Sequence, residues 1–202
     1  MMKTVFSTLT LLIAVWMMSE LLFLDVFGIG RFVAKKKFPE TAEKMGLRAI
    51  SPTKNKSFSN YIGTYGGFEV EVTPEISSIK VTMKRIPGLF LNTFQKDVSF
   101  DTGNRTLDRF FTARQAPSDT YEKLVANKRL IRFLADFIEK WKRKISNVDI
   151  EPVYVECRMK YGNGHYIPAS VLEPMTSDLV KIAQLLQDTI ILEQPATMNV
   201  KD

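Results

Sequence analysis

The feature that most constrains this chain is an apolar run near its N-terminus. Between Val5 and Leu24 the only charged residue is Glu20. About 20 apolar residues, each rising about 1.5 Å in a helix, span a hydrocarbon core of about 30 Å. The run therefore predicts a single-pass transmembrane anchor within residues 1–30. A cleaved secretory signal is the alternative, but no small-x-small cleavage site follows the run, which favours an uncleaved anchor.

The positive charge is concentrated directly after this run. The chain carries a net charge of +6, and residues 31–60 alone account for +6, while residues 1–30 sum to −1 and residues 61–202 to +1. A nucleic-acid-binding domain spreads basic residues over a folded face, so the pattern favours a membrane surface and no nucleic-acid partner is expected. The residues predicted to contact anionic headgroups are Arg31, Lys35, Lys36 and Lys37.

The same basic residues predict the orientation of the anchor. Because they outnumber Lys3 on the other flank, the positive-inside rule places the C-terminal domain in the cytoplasm, with the anchor in the cell (inner) membrane. Residues 31–60 then form a basic juxtamembrane linker. Glu20 lies near the end of the span, where its carboxylate reaches interfacial water. The alternative is that Glu20 contacts a partner within the membrane.

Residues 61–192 are expected to form an α+β domain with a mostly antiparallel sheet of about five strands, followed by a disordered tail over 193–202. Phe68–Val72 and Ile79–Met83 alternate apolar and polar residues, which predicts two half-buried strands, and Gly66-Gly67 suits a hairpin turn. The glutamates of the first strand would pair with Lys80 and Lys84 across an exposed face. Further strands are predicted at Val98–Phe100, Phe110–Ala113 and Val153–Tyr161.

Helical spacing predicts the remaining elements. A short amphipathic stretch runs from Phe38 to Gly46, and Leu47–Tyr61 is expected to be a loop. Two helices follow the fourth strand, with Asn127 between them, and the second of these ends at a basic cluster around Trp141. A terminal helix over Thr176–Ile191 is predicted to pack on one face of the sheet.

An apolar loop, residues 89–94, follows Pro87-Gly88. The two interpretations are that the loop packs beneath the sheet or that it contacts a partner or the headgroup region. The residues predicted as possible partner contacts are Glu20, Leu89, Phe90 and Leu91.

Residues 100–111 are predicted to have a structural role, as a turn and the residues that follow it. They include Asp101, Gly103-Asn104, Asp108-Arg109 and a Phe pair. Together with residues 63–70, which contain a Gly-Thr-Tyr-Gly-Gly sequence, this stretch resembles a pattern found in uncharacterised bacterial membrane-anchored proteins. The chain departs from that pattern in having Asn104 in place of Asp and Leu107 in place of Phe. The resemblance implies a bacterial, membrane-tethered setting and carries no activity or catalytic residues.

The inventory of reactive groups favours a non-enzymatic role. A single Cys157 and a single His165 exclude an internal disulfide framework and an ordinary structural zinc site. Cys157 falls on the apolar side of its predicted strand and reads as a core residue. No catalytic, cofactor-binding or metal-binding residue is predicted. The leading hypothesis is an accessory subunit of a membrane-associated complex. The alternatives are a membrane-bound hydrolase using His165 with Asp101 and Asp108, and a lipid-binding module with an apolar cavity.

Overall fold

The computed structural model describes residues 29–50, 59–93, 102–113, 118–160 and 167–190, with side chains from Lys37 onward. The predicted anchor, with Glu20, lies outside these ranges, as do the Val98–Phe100 strand, Asp101, His165 and the tail over 193–202. Among the helices in the described ranges, none has both the length and the apolarity to cross a membrane.

The described chain forms one antiparallel sheet of eight strands, in the order β1-β2-β3-β4-β8-β7-β5-β6. Two of the strands contain only two residues. The expected α+β class is confirmed, whereas the expected count of about five strands is too low. The strands are β1 Leu47–Ile50, β2 Asn60–Tyr65, β3 Phe68–Thr73, β4 Ser78–Thr82, β5 Leu91–Asn92, β6 Thr112–Ala113, β7 Ile145–Glu151 and β8 Tyr154–Met159.

The alternation of residues places most apolar residues of the central strands on one side of the sheet. Val70 pairs with Val81, Val81 with Val155, and Val155 with Ile150, and all four are fully buried. The predicted turn is also present: Gly66 and Gly67 both have positive φ between the paired residues Tyr65 and Phe68. Two positive φ angles at a two-residue turn match the twist of the flanking strands.

Helices cover the apolar side. They are α1 Ile29–Lys44, α2 Arg105–Phe110, α3 Ser118–Ala126, α4 Lys128–Trp141 and α5 Ala169–Ile190. Helix α5 contacts β4 and β8, α1 contacts β1 and α5, and α3 and α4 both pack against α5. The predicted helix pair and its break are confirmed, because Asn127 separates α3 from α4 and its side chain caps α4 by accepting from Leu130 N.

Two side-chain hydrogen bonds link α4 and α5, one near each end of α4. Asn127 Nδ2 donates to Thr189 Oγ1 at 2.6 Å, and Trp141 Nε1 donates to Asp178 Oδ2 at 2.7 Å. Asn127 and Trp141 lie at the N-terminal and C-terminal ends of α4. Their partners run the other way along α5, because Thr189 lies closer to its C-terminus than Asp178 does. The two helices are therefore antiparallel and fixed relative to each other at two points.

Much of the range 31–60, predicted to be a linker, is helix α1 and strand β1 in the structure. Helix α1 carries Phe38, Ala42 and Met45 into the core, and the Phe38 ring meets Tyr61 edge-on at 5.0 Å. Pro39 lies inside this helix, ten residues after its first residue, Ile29. Strand β1 then occupies part of the expected loop; only its first residue, Leu47, is buried, so its sequence lacks an alternating signal.

Three further expectations differ from the structure. The strand expected at Phe110–Ala113 is limited to Thr112–Ala113, because Phe110 is the last residue of helix α2 (Arg105–Phe110). Asn104 caps the start of this helix by accepting from the backbone N–H groups of Thr106 and Leu107. Strand β7 has no counterpart in the prediction. Helix α5 begins at Ala169 rather than Thr176 and contains Pro174.

Candidate interaction site on the open face of the sheet

The side of the sheet opposite the helices is polar, and no described helix covers it. We call it the open face. Its central row crosses neighbouring strands at matched register positions, and the side chains in this row are Ile62, Glu71, Lys80, Glu156, Asp149 and Asn92. The predicted cross-strand pairing is confirmed for Glu71 and Lys80, whose charged groups lie 3.9 Å apart.

Glu156 is the centre of a hydrogen-bond network on this face. Its Oε1 accepts from Ser78 Oγ at 2.6 Å and from Arg158 Nε at 3.1 Å. The Glu156 side chain is only 12% exposed, whereas that of Arg158 is 48% exposed. The hydrogen bond from Arg158 to the Glu156 carboxylate raises the pKa of the guanidinium. The two hydrogen bonds hold the Glu156 side chain in place.

Asp149 lies directly opposite Glu156 on the neighbouring strand β7. Its Oδ2 accepts from Asn147 Nδ2 at 2.6 Å, and Asn147 in turn is bonded to Thr93. The other carboxylate oxygen, Oδ1, is buried and has no hydrogen-bond partner, and the residue as a whole is 8% exposed. A buried acceptor without a partner is costly, about 1–3 kcal/mol.

Burial raises the pKa of the Asp149 carboxyl above its ordinary value, and the neighbouring charge of Glu156 acts in the same direction. The hydrogen bond from Asn147 opposes this shift. Like charges directly opposite each other across two strands are destabilising. The nearby guanidinium of Arg158 lowers the pKa of Asp149, but its hydrogen bond goes to Glu156. Among the described residues, what Asp149 lacks is a hydrogen-bond donor for Oδ1.

Tyr154 and Lys80 border this acidic pair. The Lys80 Nζ lies 4.9 Å above the centre of the Tyr154 ring, within the range of a cation–π contact. Burial and the neighbouring Glu151 raise the pKa of Tyr154 to about 12, so its hydroxyl remains a donor at neutral pH. The open face thus combines two opposed carboxylates, a protonated phenol and a nearby lysine.

The structure does not bring the predicted site residues together here. Arg31, Lys35, Lys36 and Lys37 all lie within helix α1 rather than in a linker, and Lys37 is exposed. Their helix packs on the apolar side of the sheet through its C-terminal half, away from the open face.

The loop residues predicted as possible contacts need a correction. Leu89 and Leu91 are 0% and 1% exposed, and Leu91 belongs to strand β5, where it pairs with Ile150. Phe90 is partly buried. The interpretation in which this loop packs in the core is the one that the structure supports, because the alternating leucines point into the apolar layer.

Two other candidate reactive residues have structural roles. Cys157 is fully buried among the apolar strand residues, as expected, and burial raises the pKa of its thiol far above the ordinary value. Asp108 Oδ1 accepts from both the backbone N–H and the hydroxyl of Thr102, each at 2.7 Å, and so fixes the turn before α2. Within the described ranges, no three His, Cys, Asp or Glu side chains are arranged to hold a metal ion.

Sequence reasoning did not identify Asp149. Strand β7 has a register shift between Ile145 and Asn147, which breaks the alternating pattern that would reveal a strand. The contacts that matter, with Asn92 and Glu156, depend on strand pairing rather than on local sequence. The only available signal was a carboxylate between two apolar residues, Val148 and Ile150.

Comparison with protein-family models and with curated proteins finds no match. Among solved structures, the chain is similar to the crystal structure of the mycobacterial trehalose monomycolate transport factor A, with a TM-score of 0.48 and 10% sequence identity. The similarity covers 82% of this chain and 98% of that chain. Residue roles do not transfer at this level of similarity.

Proposed function

We propose that the chain is a single-pass membrane-anchored, non-enzymatic accessory subunit of a membrane-associated complex, and that its cytoplasmic domain binds a protein partner through the open face. The observation that carries the proposal is Asp149, whose buried Oδ1 has no hydrogen-bond partner and whose carboxylate is opposed to Glu156. A lysine or arginine side chain of a partner would satisfy both carboxylates.

The surroundings of Asp149 support a protein partner. The ion pairs Lys80–Glu71 and Arg158–Glu156 lie side by side on this face, and Tyr154 offers an aromatic surface beside them. Tyrosine and arginine are the residue types that most often anchor protein interfaces, at positions where both partners are well packed. A charged pair buried on complex formation contributes strongly to the stability of some interfaces.

The experiment compares full-length wild type with Asp149→Asn and Glu69→Gln, each purified from native membranes in mild detergent. Asp149→Asn keeps the shape of the side chain and removes its charge. Glu69 lies on the same face but is exposed and bonded only to Thr82, at 3.4 Å, so its variant is the matched control.

A stoichiometric companion should copurify with wild type and Glu69→Gln and fall by about tenfold or more with Asp149→Asn, since loss of one member of a buried charge pair typically costs 2–5 kcal/mol or more. Equal recovery with all three proteins would contradict the role of Asp149. A protein that copurifies with nothing would contradict the accessory-subunit function itself.

A further inference from the structure

A second surface of the molecule, on the helical side, carries charge of the opposite sign. Residues of helices α4 and α5 line an open cleft of about 370 Å³. Four cations line it: Lys128, Arg129 and Arg132 from α4, and Lys181 from α5. We call this the basic cleft. It is separate from the open face, so the two surfaces can be tested independently.

The described residues do not neutralise the cations of the basic cleft. Within the described ranges, none of the four forms an ion pair, and the cleft contains a single carboxylate, that of Asp136. Lys181 Nζ donates only to the neutral Gln184, at 3.3 Å. By contrast, Lys140 and Lys142, further along α4, are paired with Asp178 and Glu139. The unpaired charge is therefore confined to one end of the helix.

That end is the one where cations are least favourable. The N-terminus of a helix carries a partial positive charge, which normally favours acidic residues in the first turn. Helix α4 has no acidic residue there and instead begins with Lys128 and Arg129, with Arg132 one turn later. Side chain and backbone charges thus reinforce each other, and an anion in the cleft would relieve both.

The spacing of the residues forms a shaped pocket. Arg129, Arg132, Phe133 and Asp136 lie three or four residues apart and so share one face of α4, and Lys181 and Leu185 do the same on α5. Leu185 is buried and Phe133 half-buried, which gives the cleft an apolar floor beneath its charged rim. Two guanidinium groups on one face suit the planar, bidentate recognition of a phosphate.

We propose that the basic cleft binds the phosphodiester headgroup of an anionic phospholipid, with the guanidinium groups of Arg129 and Arg132 on the phosphate and the apolar floor against the upper part of the glycerol backbone. The cationic rim and the apolar floor together match a ligand that is charged at one end and apolar at the other. In this arrangement α4 faces the membrane surface while the open face remains available to a partner.

The test uses full-length protein in nanodiscs of phosphatidylcholine alone or with added phosphatidylglycerol. The measurement is the rate at which an amine-acylating reagent modifies Lys128 and Lys181, read by mass spectrometry, with the exposed Lys84 as the internal control. Phosphatidylglycerol should slow modification of the two cleft lysines about fivefold or more, because a bound anion holds them in ion pairs. The rate at Lys84 should stay unchanged.

Two double variants complete the experiment. Arg129→Glu with Arg132→Glu should abolish the protection of Lys181, whereas Lys84→Glu with Arg85→Glu, which removes two exposed cations elsewhere, should leave it intact. Arg129→Glu places an acidic residue in the first turn, where a helix favours it, and both substituted positions are exposed, so loss of protection would not reflect unfolding.

Three outcomes would overturn the proposal. Equal protection of Lys84 would indicate general attraction of the domain to a charged surface. Protection by inorganic phosphate in phosphatidylcholine nanodiscs, at a level equal to that given by phosphatidylglycerol, would indicate a free anion as the ligand. Protection by soluble polyglutamate but not by phosphatidylglycerol would indicate an acidic protein.

Discussion

At the scale of single residues, the most informative side chain is an ionisable group in surroundings that disfavour its charge. Asp149 is an acid placed opposite another acid and buried with one oxygen unsatisfied. Cys157, one register position away across the same strand pair, shows the opposite case, a thiol whose apolar surroundings fully match its role in the core. Cys157 therefore contributes to packing, whereas Asp149 lowers the stability of the isolated fold.

Asp149→Asn should stabilise the isolated protein at neutral pH by about 1 kcal/mol, because the neutral amide removes the buried charge that stands opposite Glu156. The pKa of Asp149 in the folded protein is raised above the ordinary value of 3.8. The folded protein therefore binds more protons than the unfolded chain as pH rises past that value, and the wild type loses stability over this window.

The advantage of Asp149→Asn should accordingly be present at pH 7 and shrink as pH falls through the raised pKa of the folded state to below 3.8, where the wild-type carboxyl is protonated in both states. Urea unfolding followed by circular dichroism at several pH values measures this. A variant that is less stable than wild type at pH 7 would show that Asp149 already has a partner in the isolated protein.

Cys157 should react with an aromatic disulfide reagent only when the domain unfolds, because burial keeps the thiol protonated and inaccessible. The modification rate should rise with urea in parallel with the unfolded fraction. Rapid reaction in native buffer would show that β8 opens locally.

At the scale of elements, hydrogen bonds at chosen points fix how α4 and α5 pack. Asp178→Ala removes the acceptor for Trp141 Nε1 and the ion pair with Lys140, both at 2.7 Å. Hydrogen bonds to charged groups contribute about 1.5–3 kcal/mol, so we expect a loss of that size in the free energy of unfolding. Asp188→Ala, at an exposed position on the same helix, should change it little. Equal losses for the two variants would contradict this packing role.

The charges of α4 predict a substitution that raises, rather than lowers, the free energy of unfolding. Arg129→Glu should raise stability by about 0.3–1 kcal/mol, because it places an acid in the first turn. Arg143→Glu, just beyond the last turn, should lower it by a similar amount. Thermal unfolding of the two variants measures the difference. A loss of stability with Arg129→Glu would show that the cations of the basic cleft support the fold rather than a ligand.

Elements also show how far the sequence alone predicts this molecule. Strands β3, β4 and β8 and helices α3 and α4 follow from regular apolar spacing, because each buries one continuous face. Strand β1 and helix α2 are short and bury little, so their sequences carry a weak signal. Strand β7 is interrupted by a register shift. The acidic pair of the open face arises only when β7 and β8 are aligned.

At the scale of the whole molecule, an eight-stranded sheet with helices on one side leaves two surfaces of different character. The open face presents a buried carboxylate oxygen, Asp149 Oδ1, that has no hydrogen-bond donor among the described residues. The helical side presents the cations of the basic cleft, which form no ion pair within the described ranges. Helix α1 begins at residue 29, and its C-terminal half packs into the core. A predicted anchor upstream would therefore be joined to the domain through a helix rather than through a flexible linker.

The central claim is that the open face binds a protein, and site-specific photocrosslinking in native membranes tests it most directly. A photoreactive residue replaces Lys80, on the central row of the open face, or Glu122, at an exposed position of helix α3. The account predicts a single crosslinked protein from position 80 and none from position 122. No crosslink from position 80, or the same products from both positions, would contradict it.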